Sequence, residues 1–97
     1  MPHFKVILSG EGIDLPLGRT SSVGFFTTRL VRAADLASAE DLARELVLSD
    51  WRTGGPYAES NRGALPTLAI EQSFAVGWIA GTFGRRPSGY TFYRQDD

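Results

Sequence analysis

The chain predicts an α+β fold: a four-stranded, mainly antiparallel sheet in the order β-β-α-β-β, with one principal helix packed on one face. Three observations carry this prediction. Two early stretches, His3–Ser9 and Ser22–Ala33, have the two-residue period and the β-branched and aromatic content of strands. Between Ser38 and Ser49 the apolar residues recur instead at helical spacing. Two further strand-like stretches, Pro66–Val76 and Tyr90–Arg94, close the pattern. At 97 residues, with 42% hydrophobic and 22% charged composition, residues 1–97 can bury one core, so a single α+β domain is expected.

In the first strand Phe4, Val6 and Leu8 share one face, and His3, Lys5, Ile7 and Ser9 the other. Gly10 and Gly12 interrupt the alternation before Ile13, Leu15 and Leu17 resume it, which predicts either a strand bent by a glycine bulge or a strand followed by a broad loop. In the second strand Val23, Phe25, Thr27 and Val31 face one way and Phe26, Thr28 and Leu30 the other. A strand apolar on both faces belongs in the middle of its sheet. Ser38-Ala39-Glu40-Asp41 reads as a helix start, with Ser38 as cap and two acids in the first turn. Ala39, Leu42, Ala43, Leu46 and Val47 supply the stripe, and Glu40 and Arg44 stand one turn apart. In the third strand Leu68, Ile70, Gln72, Phe74 and Val76 share a face. The glycine-bearing run Gly84–Gly89 is read as a hairpin into the last strand.

Function is constrained mostly by what is missing. There is no cysteine, so thiol catalysis and cysteine-held metals are excluded. His3 is the single histidine and fits the solvent side of a strand better than a catalytic pair. No nucleophile elbow or phosphate loop is present, and Glu11 and Asp14 are too few for a calcium site. No catalytic residue, metal or cofactor is therefore expected. The net charge of -1 gives no long-range attraction to nucleic acid. No apolar run approaches the ~20 residues of a spanning helix, so no membrane is expected, and a cytoplasmic location is.

Three groups of residues remain. The long loop after the helix, residues 51–65, holds Trp51, Arg52, Tyr57, Asn61 and Arg62, which could stack on a planar ligand and grip an anion. The competing reading makes Trp51 and Tyr57 plugs over the end of the core. Arg85, Arg86 and Arg94 form a basic group beside Tyr90, Phe92 and Tyr93, suited to an acidic partner and superficially to single-stranded nucleic acid. The nucleic-acid reading fails on topology, because an RNA-recognition fold needs two βαβ units. Finally, one twelve-residue helix cannot cover a four-stranded sheet. The uncovered apolar face predicts a two-fold homodimer through Phe25 or Phe26, whichever faces away from the helix, together with Tyr90, Phe92 or Tyr93, and strand pairing across a sheet edge is a second geometry compatible with the same sequence.

Val23-Gly24-Phe25-Phe26-Thr27-Thr28-Arg29, the Ala-rich helix and Gly89-Tyr90-Thr91-Phe92-Tyr93 together resemble small bacterial proteins of about this length that have no assigned function. That resemblance implies no activity and no site residues. The expectation is a non-catalytic interaction module, homodimeric, with a small-ligand protein or enzyme built on the 51–65 loop, or a nucleic-acid accessory protein, as alternatives.

Overall fold

The computed structural model describes residues 1–77 and 89–94. The order is β1 (His3–Leu17), β2 (Thr20–Arg32), α1 (Leu36–Trp51), β3 (Thr67–Val76) and β4 (Tyr90–Arg94). All pairings are antiparallel and the strand order is β3-β1-β2-β4, so the predicted α+β architecture holds. β1 and β2 are the central pair, each flanked by a strand on both edges.

β1 runs unbroken through its glycines, and the bulge expected there lies between Glu11 and Leu15, where the register against β2 shifts. Gly12 has φ +93°, a conformation that L side chains rarely adopt, and so permits the bend. Gly10 acts through close approach: a Cβ there would overlap the Phe25 ring, whose residue is its direct partner on β2.

The helix starts two residues earlier than the sequence pattern indicated. Asp35, in extended conformation, caps it by accepting from the Ser38 backbone N–H at 2.8 Å, so Ser38 is a capped residue and not the cap. Glu40 and Asp41 consequently fall beyond the first turn. The earlier start places Ala39, Ala43, Val47 and Trp51 in one buried stripe against the sheet. Leu42 and Leu46, expected in that stripe, lie at its side and stay exposed. Arg44 pairs with Asp41 instead of Glu40, whose carboxylate accepts from the Ser73 hydroxyl of β3 at 2.6 Å.

Two further expectations are corrected. The face shared by Leu68, Ile70, Phe74 and Val76 is broken by a bulge: Ile7 pairs with Gln72 while Leu8 pairs with Ile70, leaving Glu71 extra. Leu68, Ile70, Ser73 and Ala75 share rows with the helix-side residues Gly10, Leu8, Val6 and Phe4, and Phe74 and Val76 turn to the other side. The second concerns the hairpin between the last strands. β3 and β4 lie at opposite edges and are not paired, because each adds to its own side of the β1–β2 pair. Arg85 and Arg86, assigned to that hairpin, lie outside the described residues.

The core fills the helix side, with Phe4, Val6, Leu8, Ile13 and Leu15 from β1, Phe25 and Val31 from β2, and the α1 stripe. Gly10→Ala should destabilise the fold by about 2 kcal/mol, as overpacking of a filled core does. Urea denaturation measures it, and an unchanged midpoint would mean that the Phe25 ring has room to move.

Candidate functional site

The loop residues singled out from sequence are drawn into the fold. Trp51 is the last residue of α1, is 3% exposed, and stacks on Phe25 at 5.3 Å between ring centroids. Tyr57 stacks on its other side at 4.7 Å, and Tyr90 and Phe92 meet this column edge-on. Both faces of the indole are thus covered, which is the plug arrangement. Asn61 and Arg62 serve the β1 bulge: Asn61 Oδ1 accepts from the Asp14 and Gly63 backbone N–H groups, and the Arg62 backbone N–H donates to the Asp14 carbonyl. The Arg62 guanidinium stays exposed, 3.8 Å from the Asp14 carboxylate, and Arg52 pairs with Glu45 at 2.9 Å. What the loop leaves open is a groove of about 490 Å³ lined by Trp51, Arg52, Thr53, Ala58 and Leu65.

Beside the aromatic column lies a cluster that sequence reading missed. Asp50 Oδ2 accepts from Arg29 at 3.1 Å and from the Tyr90 hydroxyl at 2.6 Å, and the guanidinium carbon sits 5.2 Å from the Tyr90 ring centroid. Arg29 has only 10% of its side chain exposed and Asp50 27%. Arg29 occupies an inward position of β2, where the alternation gives no warning of a charge. Burial, and then the hydrogen bond to Asp50, push the Tyr90 hydroxyl well above the usual tyrosine range, while the Arg29 charge opposes the shift. The indole N–H of Trp51 and Arg29 Nε are buried without a hydrogen-bond partner. Through Asp50 Oδ2 the cluster ties α1 to β2 and β4. Among the described residues no metal-binding group of His, Asp and Glu gathers, and no helix is long and apolar enough to cross a membrane.

The opposite face of the sheet is different. Strand register puts Phe74, Ile7, Phe26 and Tyr93 on a diagonal across β3, β1, β2 and β4. Phe26 is 45% and Phe74 38% exposed, and no element among the described residues is recorded packing on this band. Tyr93 lies across Gly24, where any Cβ would strike its hydroxyl, and its ring is 5.8 Å from that of Phe26. Desolvation and the nearby Glu11 and Glu71 carboxylates raise the pKa of that hydroxyl. Of the residues named for an interface, Phe25 is fully buried and Tyr90 and Phe92 pack into the helix-side cluster. Phe26 and Tyr93 alone among them face the open side. Arg94, at the end of β4, is exposed.

Asp50→Asn should cost about 2 kcal/mol, below the full penalty for an unpaired buried charge because Asp50 is partly hydrated. Tyr90 fixes the alkaline behaviour. Its folded pKa exceeds the ordinary 10.0, so the stability it contributes is present below pH 10 and is lost as pH rises above it. In Tyr90→Phe that part of the alkaline decline should vanish, together with about 1 kcal/mol at neutral pH from the lost hydrogen bond; thermal melts from neutral pH to about pH 11 test both. No family model, curated protein or solved structure matches this chain.

Proposed function

We propose that this chain is a non-catalytic interaction module that forms a two-fold homodimer through the sheet face opposite α1. The observation that carries the reading is the exposure of two phenylalanines, Phe26 at 45% and Phe74 at 38%, on one band with Ile7 and Tyr93. Large apolar side chains aligned on one face lose unfavourable contact with water when a partner covers them. A copy of the same chain is the partner always at hand, and two-fold pairs are the commonest soluble assemblies. The groups best suited to chemistry, Arg29, Asp50 and Tyr90, bind one another and anchor the fold, which supports the non-catalytic part.

The groove beside Trp51, Arg52 and Leu65 favours a second reading, a small-ligand protein. Its weakness is that the indole has no free face for stacking. A metabolite screen by thermal shift separates the two: stabilisation lost in Leu65→Asp would favour the groove.

Light scattering after size exclusion at tens of micromolar tests the main reading. A mass near twice 10.6 kDa is expected, falling to 10.6 kDa in Phe26→Asp with its circular dichroism unchanged. A wild-type mass of 10.6 kDa overturns the reading.

A further inference from the structure

We infer that the two open faces stack with their strands antiparallel, Lys5 of each copy against the partner's Glu11; this rests on the dimer reading above. The argument is one of symmetry and charge. A two-fold contact brings a patch against itself, so two unlike groups can pair across it only if they lie at equal distances on opposite sides of the axis. Lys5 and Glu11 meet that condition. Both are on β1, an even number of residues apart and on the face away from α1, in rows with Phe74 and Leu30 at one end and with Gly24 and Thr67 at the other. Each is three residues from Leu8, about 10 Å at the usual strand rise. An axis crossing the strands at the level of Leu8 therefore sets each lysine over a glutamate, twice.

The same axis centres two of the four apolar residues, while Phe74 and Tyr93 lie in the outer rows with Lys5 and Glu11. Ile7 and Phe26 lie in the rows on either side of it, Ile7 opposite Thr28 and Phe26 opposite Ser9. Each meets its own mate across the axis, which puts the apolar contact at the centre and the charged pairs at the rim, the usual arrangement in protein interfaces. The other in-plane axis, along the strands, would set lysine over lysine and glutamate over glutamate, and like charges opposed across an interface are costly. Leu30, in the Lys5 row, is only 9% exposed and His3, beyond it, 8%, so the contact ends at that row and, by symmetry, spans the rows from Lys5 to Glu11. Those rows measure about 20 Å along the strands and about 14 Å across them, a small contact of the weak, transient class.

Charge reversal with rescue tests the register. K5E and E11K should each weaken the dimer about tenfold by creating two like-charge pairs at the rim. The double variant K5E/E11K should recover wild-type affinity, and an equimolar mixture of K5E with E11K should pair better than either alone. Sedimentation equilibrium reads all five samples, the wild type included, and unchanged far-ultraviolet dichroism shows that each variant is folded. A wild-type dimer indifferent to both reversals overturns the register and leaves the dimer standing. Weakening in both singles without recovery in the double or the mixture also overturns it. A monomeric wild type overturns the dimer itself.

Discussion

The stack of Phe25 on Trp51 is the contact around which the rest of the molecule is arranged. Phe25 stands near the middle of the most enclosed region of the sheet, over a glycine that leaves room for its ring, and Trp51 closes the last turn of α1 onto it. Ring pairs of this kind add about 1 kcal/mol beyond the area they bury, so geometry is their larger contribution. The helix must end where the indole reaches Phe25, the loop must return so that Tyr57 covers the outer face, and β4 must dock so that Tyr90 and Phe92 meet the column edge-on. Asp50, one residue before the indole, then has the position from which one carboxylate oxygen reaches both Arg29 and Tyr90.

Strand and helix identities were legible because they rest on local pattern. The alternation of β1 and β2, the glycine bend and the central place of β2 all follow from residue order. The helix start was ambiguous for a physical reason: Asp35 and Ser38 are both good caps three residues apart, and only packing chooses between them. The earlier cap aligns Ala39, Ala43, Val47 and Trp51 on the sheet. Pairing between distant strands was not legible. A glycine-rich run between two strands suggests a hairpin, yet nothing local shows that β1 and β2 have each reserved their outer edge for a different strand.

The candidate surface was legible in part. That Phe25 and Phe26 must face opposite ways follows from strand geometry, and the helix decides which is buried. Trp51 and Tyr57 looked equally fit for a ligand or a core, and a residue's type does not reveal that both faces of its ring are already occupied. Asn61 and Arg62 bond to a β1 bulge 47 and 48 positions earlier in the chain, a relation no local pattern records. Lys5 passed as an ordinary strand residue and Glu11 as one of two acids too few for a calcium site, since their equal spacing about Leu8 acquires meaning only once the face they share is known.

The extra residue in β3 is a point at which the strand can change length without changing which side chains face the helix. On either side of Glu71 the strand obeys opposite parities, with Leu68 and Ile70 turned inward before it and Phe74 outward after it. Substituting Glu71 leaves both halves in phase with β1. Removing it would close the bulge into a regular ladder, with Ile70 still opposite Leu8 and Gln72 opposite Ile7, so that Ser73 keeps its place beneath α1 as donor to Glu40 and Phe74 stays on the open face. A one-codon deletion at this point would therefore leave the character of both sides unchanged, whereas a deletion within the regular stretch on either side would turn the residues between it and the bulge to the opposite faces.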